Sequence, residues 1–156
     1  MTIVFVTGLH GIGKSSSLEK LKHQNYNVID ADDGYVKNIS SGNTEETVLD
    51  KDKIVSLLKE NPKSDWFIAG VYSNQYQIYK HVDLVVLLTA EHNELLKRIK
   101  TRTTNNYGKA LEEQKEITDN YYQVLPLLKE SSDITIDATN LDIDMICERL
   151  KLLLVR

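Results

Sequence analysis

The chain has 156 residues, of which 41% are hydrophobic and 27% are charged, and it carries a formal net charge of −4 and a single cysteine. This composition is typical of one globular domain with a single core, and it excludes a disordered or fibrous chain, a disulfide framework and a broadly basic nucleic-acid-binding face. The apolar runs are too short to cross a membrane and the N-terminus lacks the pattern of a signal peptide, so we expect a cytoplasmic protein.

Short β-rich runs alternate with helical patterns along the chain. The predicted strands cover residues 3–6, 28–30, 66–70, 84–88 and 134–138. Helices are predicted from about residue 14, over 48–60, 92–101 and 111–129, and from a capping residue at Asp142. Pro126 should kink or interrupt the fourth helix. Because runs that are apolar throughout are typical of strands covered on both faces, the sequence predicts a single α/β domain, residues 1–156, with a parallel sheet between two layers of helices.

Residues 8–15 read GLHGIGKS and stand between the first strand and the first helix. The spacing of Gly8, Gly13, Lys14 and Ser15 is that of the phosphate-binding P-loop. Glycines let several backbone N–H groups converge on one anion, and the helix that follows adds its free N–H groups. We expect Lys14 to reach the outer phosphates of ATP and Ser15 to bind Mg²⁺. The remaining nucleotide-binding residues of the loop are His10, Gly11, Ile12 and Ser16, with only the backbone of His10 generally needed.

Asp30 and Asp32 follow the second strand, at the edge of the sheet where ligands of α/β proteins bind. Carboxylates in this place can hold magnesium through water or accept a proton from an acceptor hydroxyl. We therefore predict that Asp30 binds metal and acceptor, and that Asp32 is a catalytic, acceptor-binding residue. An ordinary polar turn is the alternative interpretation. The chain lacks the guanine-reading N-K-x-D motif and a D-x-x-G motif after the third strand, which counts against a GTPase switch.

A basic segment around RIKTR, residues 98–102, precedes the sequence TTNNYGK. A kinase must exclude water while it transfers the phosphoryl group, and a mobile lid that carries arginine is the usual solution. Arginine is suited to this because its planar fork binds two phosphate oxygens at once. We predict a small lid at about residues 99–112 with Arg102 as a catalytic residue. The alternative is a solvated, charged helix face.

Four segments, 8–15, 28–32, 98–102 and 136–140 (IDATN), together resemble the nucleoside monophosphate kinase and shikimate kinase group of P-loop phosphotransferases. TTNNYGK and the SNQ at 73–75 are most similar to a poorly characterised branch known only as ATP-binding or AAA-family proteins. The resemblance implies the three-layer P-loop fold with a five-stranded sheet in the order 2-3-1-4-5. It also implies that Arg98 lies near the adenine, Arg102 faces the phosphates, Thr139 and Asn140 border the base, and Asp32 and Gly70 face the acceptor.

The chain departs from this group on the acceptor side. Its third strand ends without a carboxylate, IAGVYSNQ lacks the glycine triplet of shikimate kinases, and no arginine cluster for a monophosphate is found outside the lid. Tyr72, Tyr76 and Tyr79 follow the third strand at helix-like spacing, for which packing is the favoured interpretation and stacking on a base or sugar the alternative.

The sequence thus predicts a Mg²⁺-dependent phosphotransferase that moves the γ-phosphoryl group of ATP to a small acceptor, first of all a nucleoside or nucleotide. It is expected to act as a monomer or homodimer, without membrane or nucleic acid. One alternative is an ATP-binding or ATPase module that has no small acceptor. Another is a nucleic-acid 5′-end kinase, for which the segment after the second strand offers only Lys37.

Overall fold

A parallel sheet of five strands lies at the centre of the structure, a computed structural model that describes residues 1–102 and 107–154. In chain order the strands are β1 (Ile3–Thr7), β2 (Val28–Asp30), β3 (Val36–Ser41), β4 (Thr44–Leu49), β5 (Trp66–Ala69), β6 (Leu84–Thr89) and β7 (Ile134–Asp137). The sheet has the order β2-β5-β1-β6-β7, whereas β3 and β4 form a separate hairpin. Counted over the sheet strands alone, this is the predicted order 2-3-1-4-5, and the predicted fold class is confirmed.

Six helices flank the strands in the described part of the chain: α1 (Lys14–His23), α2 (Lys51–Glu60), α3 (His92–Thr101), α4 (Leu111–Gln123), α5 (Leu125–Ser131) and α6 (Ile143–Leu152). Pro126 stands in the first turn of α5, so the predicted interruption is present and divides one helical pattern into two helices. Asp142 caps α6 as predicted, because its side chain accepts a hydrogen bond from the Met145 N–H at 2.8 Å. None of these helices is long and apolar enough to span a membrane.

Two apolar clusters pack on opposite faces of the sheet. Successive residues of a strand point to opposite sides, and β1 shows this directly. Val4 and Val6 belong to the cluster beneath α1, α5 and α6, whereas Ile3 and Phe5 belong to the cluster beneath α2. Burial of both faces explains why the sheet strands read as continuous apolar runs.

The β3–β4 hairpin corrects the predicted second helix, which was expected to cover residues 48–60. Val48 and Leu49 pair with Lys37 and Val36 across the hairpin, and the helix begins only at Lys51. The pattern was misleading because two buried strand residues precede the helix without a break in hydrophobic spacing. Asn74 fixes the end of the hairpin. Its side-chain oxygen accepts a hydrogen bond from the Leu49 N–H at 2.9 Å, and its side-chain nitrogen donates one to the Leu49 carbonyl oxygen at 3.0 Å.

Candidate active site

The start of α1 forms an open anion-binding site. Gly13 occupies the N-cap position in a left-handed conformation with φ of 102°, and no side chain caps the helix. A β-carbon at this position would lie 2.9 Å from Ile143 Cδ1, so both the backbone angle and the packing require glycine. The first turn carries no acidic residue. Its N–H groups and the positive end of the helix dipole are therefore available to a phosphate group.

Lys14 is folded over the loop that precedes it. Its ammonium donates hydrogen bonds to the carbonyl oxygen of Gly8 and, at 3.1 Å, to that of Leu9. Burial lowers the pKa of Lys14 to about 8, while the nearby carboxylates of Asp32 and Asp30 act in the opposite direction. The cation is thus held beside the loop in a poorly solvated place, where its attraction for phosphate is strong.

Asp30 and Asp32 lie where β2 ends, next to the end of β5. The register pairs Asp30 with Ala69, so the residues that follow both strands meet at the same edge. Asp32 accepts a hydrogen bond from the Tyr72 hydroxyl, and the Asp30 carboxylate accepts one from the Asp32 N–H at 3.2 Å. Burial raises the pKa of Tyr72 and the bond to Asp32 raises it further, so the phenol stays protonated and acts as a donor.

The hydrogen bond from Tyr72 to Asp32 gives this tyrosine a place in the site that the sequence prediction, which favoured packing for it, did not assign. Parallel pairing of β2 with β5 was part of the predicted strand order, and Tyr72 stands two residues beyond Gly70 at the end of β5. The pairing was therefore a usable signal that Tyr72 and Asp32 are neighbours. Gly70 itself is closely packed, since a β-carbon there would lie 3.2 Å from that of Ala31.

Arg98 and Arg102 differ in their contacts. Arg98 donates from Nη2 to the carbonyl oxygens of Ala138 (2.7 Å), Thr139 (3.2 Å) and Leu141 (3.2 Å). Its Nε donates to Glu94 at 3.0 Å. Arg98 therefore holds the loop after β7 in place. Arg102 follows the end of α3 and donates from Nη2 to the Tyr107 carbonyl oxygen at 2.7 Å.

One cleft of about 560 Å³, here called the nucleotide cleft, collects most of the predicted site residues. Those that line it are His10, Gly11, Ile12, Gly13, Lys14, Ser15, Ser16, Asp30, Asp32, Gly70, Arg98 and Arg102. Gly8, the first residue of the loop, is not among the lining residues and contributes its carbonyl oxygen to Lys14. The predicted roles in the nucleotide cleft stay predictions, but the residues are brought together as one surface.

Thr139 and Asn140 do not line the nucleotide cleft. The Thr139 hydroxyl donates to Asp137 at 2.6 Å and accepts from the Glu91 N–H at 3.0 Å, so it connects β7 to the start of α3. The three residues after Asn140 line the cleft instead. The role predicted for Thr139 and Asn140 beside the base remains a prediction, and the side chain of Thr139 is already engaged elsewhere.

The predicted lid, about residues 99–112, falls partly on residues 103–106, which lie outside the described residues. Within its second half, Gly108 has φ of 91°. A β-carbon on Gly108 would lie 2.3 Å from Ile99 Cγ2 and 2.8 Å from Ile117 Cδ1, so only glycine fits between α3 and α4. The Tyr107 ring lies 5.3 Å from the His10 ring, centroid to centroid. Tyr107 therefore lies directly beside the P-loop.

The oxygen ligands that the nucleotide cleft offers fit a magnesium ion that arrives with ATP. Within the described residues, no group of three or more His, Cys, Asp or Glu side chains could hold a metal by itself. Mg²⁺ usually keeps several waters and binds through one or two protein oxygens together with substrate phosphates. The exposed hydroxyl of Ser15 and the carboxylate of Asp30 line the same cleft and supply such a pair.

Comparison with known proteins agrees with this arrangement. The profile of the AAA domain family matches residues 4–119. Shikimate kinase from Bacteroides thetaiotaomicron has a similar structure, with a TM-score of 0.61, 15% identity and 98% of both chains covered. Shikimate kinase from Acinetobacter baumannii in complex with shikimate gives a TM-score of 0.66 at 12% identity, covering 99% of this chain and 93% of that one.

An uncharacterised protein from Eubacterium ventriosum is also similar, with a TM-score of 0.62, 16% identity and 99% of both chains covered. At these identities the likeness concerns the fold. A search of the curated proteins finds no match.

Proposed function

The chain belongs to the AAA domain family, and from that premise we propose that it is a kinase that transfers the γ-phosphoryl group of ATP to a small acceptor. One observation carries the proposal. The nucleotide cleft combines an uncapped helix N-terminus, a half-buried lysine, two carboxylates after β2 and two arginines at the C-terminal end of α3. A carboxylate beside the phosphate site can accept the proton of an acceptor hydroxyl, which supports transfer to an acceptor.

Each group has a role in the proposed reaction. Lys14 and the N–H groups of α1 hold the phosphates, and Arg102 stabilises negative charge on the phosphoryl group in transit. The acceptor hydroxyl oxygen forms a bond to the γ-phosphorus while the bond to the bridging oxygen of ADP breaks. Asp32 takes the hydroxyl proton. Mg²⁺, held by Ser15 and Asp30 together with the phosphates, supplies neutralising charge when it is bound.

We place the acceptor beyond Asp32 and Gly70, and we expect it to be a nucleoside or nucleotide before other small hydroxyl compounds. We also propose a cytoplasmic location, because the single cysteine is buried and free, as is usual in a reducing compartment. The shikimate kinases with a similar fold suggest small-molecule chemistry, although the chain lacks their glycine triplet. A monomer or homodimer remains the expected state.

ATP consumption with Mg²⁺ tests the proposal, measured against a panel of nucleosides, nucleoside monophosphates, sugars and shikimate. A kinase should show stimulation by at least one compound, together with a product that is heavier by one phosphoryl group. Lys14→Ala protein, purified in the same way, controls for contaminating kinases. Slow hydrolysis that no compound stimulates would favour the ATPase alternative and reject the transfer reaction.

A further inference from the structure

A second cavity, of about 440 Å³, adjoins the nucleotide cleft and is here called the tyrosine chamber. It is lined by Tyr72, Tyr76 and Tyr79 from the segment after β5, and by Ile117, Val124 and Leu128 from α4, the α4–α5 junction and α5. The volume is within the range of about 300–1,000 Å³ that is usual for small-ligand sites. Aromatic rings together with apolar side chains favour a flat, apolar ligand body.

The tyrosine chamber contains no cation among the described residues that line it. Its one basic side chain, His10, has its pKa lowered by desolvation and by the charge of Lys14, so the ring is neutral at neutral pH. A phosphate or carboxylate inside the chamber would lose part of its hydration without gaining a partner charge, which is unfavourable. The chamber therefore selects against charged acceptors.

Two amide side chains line the tyrosine chamber, and they differ in whether their hydrogen-bonding groups are already used within the protein. Gln75 is committed to the protein, because its Oε1 accepts from the Tyr72 N–H at 3.0 Å and its Nε2 donates to Thr7 and Tyr79 at 3.1 and 2.6 Å. The Asn120 amide has no hydrogen-bond partner within residues 1–102 and 107–154. An amide offers both donors and an acceptor, so Asn120 can read the polar edge of a ligand ring.

The tyrosine chamber and the nucleotide cleft meet at shared residues. His10 and Val71 line both cavities, and the Tyr72 hydroxyl of the chamber bonds to Asp32 of the cleft. A ligand body in the chamber would thus place a protruding group beside the carboxylate that the proposed reaction uses as proton acceptor.

We propose that the tyrosine chamber binds the acceptor, and that the acceptor is an uncharged compound with a flat heteroaromatic ring and a primary hydroxyl, namely a nucleoside rather than a nucleotide or a carboxylate. This rests on the proposed phosphotransfer. The ring lies against Tyr76 with its polar edge at Asn120, and the hydroxyl points to Asp32. Its oxygen bonds to the γ-phosphorus, ADP leaves, and the proton passes to Asp32.

The test compares nucleosides with their own 5′-monophosphates, and with glucose and shikimate, as phosphoryl acceptors. We expect a nucleoside to be phosphorylated with a kcat/KM at least about 10²-fold above that of its monophosphate. Tyr76→Ala and Asn120→Ala should each raise the KM for the nucleoside about tenfold while the KM for ATP stays unchanged. The matched controls are Tyr122→Ala and Asn93→Ala, exposed residues outside both cavities, which should leave both KM values unchanged.

Two results would overturn this assignment without touching the kinase proposal. One is efficient phosphorylation of a monophosphate, a sugar or shikimate in place of nucleosides. The other is nucleoside kinetics that Tyr76→Ala and Asn120→Ala leave unchanged.

Calorimetric titration of nucleosides in the presence of a non-hydrolysable ATP analogue covers the case in which no compound is phosphorylated. Binding that is lost in Tyr76→Ala and kept in Tyr122→Ala would support the tyrosine chamber as the ligand site. In that case only the proposed phosphoryl transfer would be rejected. Absence of binding would overturn the chamber assignment.

Discussion

The nucleotide cleft and the tyrosine chamber adjoin one another but are built in opposite ways. The cleft is lined by backbone N–H groups, carboxylates and cations, and most of its phosphate-binding part comes from the contiguous residues 10–16. The chamber is lined by tyrosine rings and aliphatic side chains from segments between residues 9 and 131. One region suits the fixed chemistry of a triphosphate, and the other suits the variable body of an acceptor.

This difference predicts how substitutions should act. Changes in the nucleotide cleft should lower turnover with every acceptor to the same extent, because they act on the phosphoryl group that all acceptors share. Changes in the tyrosine chamber should alter the ranking of acceptors and leave ATP binding unchanged. A single substitution that lowered turnover with every acceptor and also altered their ranking would contradict this distinction, unless the residue lines both cavities.

Lys14→Met should have the largest effect, a fall in kcat of about 10³-fold with any acceptor, because the phosphates lose a poorly solvated cation. Steady-state rates measure this. Lys22→Met, on the exposed side of the same helix, is the control and should be silent. Turnover above a tenth of the wild-type value would contradict the role of Lys14.

The same substitution should stabilise the nucleotide-free protein. The pKa of Lys14 is lowered to about 8 mainly by burial, so the charged form is disfavoured in the folded state. Below about pH 8 the charged Lys14 lowers the free energy of unfolding of the wild-type protein by its full amount, and this destabilisation declines as pH rises above 8. We expect Lys14→Met to raise the Tm by about 2–4 °C at pH 7, corresponding to about 1 kcal/mol, and by less at pH 9.5.

Arg102→Ala should lower kcat by about 10²-fold with less than about a threefold change in the KM for ATP, because its charge is needed most in the transition state. Arg98→Ala should do the reverse and mainly raise the KM for ATP, since three carbonyl oxygens of the loop after β7 lose their donor. Lys97→Ala, exposed on α3 and outside the predicted lid, is the matched control. Equal effects of the two arginine substitutions on kcat and KM would contradict this division.

Tyr72→Phe tests the boundary between the two regions. The ring remains in the tyrosine chamber, but the hydrogen bond to Asp32 is lost. We expect kcat to fall about tenfold and the KM for the acceptor to change less than threefold, because the substitution affects the orientation of the carboxylate and not the shape of the chamber. Tyr26→Phe, which lies outside both cavities, is the control. A change confined to KM would assign Tyr72 to binding alone.

The contrast also explains what could be predicted from the sequence. The P-loop is a contiguous motif, so its residues were recognised directly, and Asp30 and Asp32 followed from the end of a strand. The tyrosine chamber depends on α4 and α5 packing beside the segment after β5, and no local pattern reports such a contact. Gly108 illustrates the same limit: its need for glycine arises from Ile99 and Ile117, which approach it only in the folded chain.

The smallest expected effect is a pH dependence confined to the nucleotide cleft. Binding of ATP to the free protein requires the charged form of Lys14, whose pKa is about 8, so affinity should be constant at lower pH and decline above it. Between pH 7.5 and 8.5 the charged fraction falls by a factor of about three, and the Kd for ATP should rise by the same factor. Calorimetric titration at both pH values measures this change.

Nucleoside binding in the tyrosine chamber should be constant over the same pH interval. The chamber contains no lysine or arginine among its described lining residues, and the pKa of His10 lies below its usual value, so His10 does not titrate there. Lys14→Arg should remove the change in ATP affinity, since a guanidinium stays charged throughout. If nucleoside affinity instead fell in parallel with ATP affinity in the wild-type protein, the two regions would share a titrating group, and their separation into a charged cleft and a neutral chamber would be wrong.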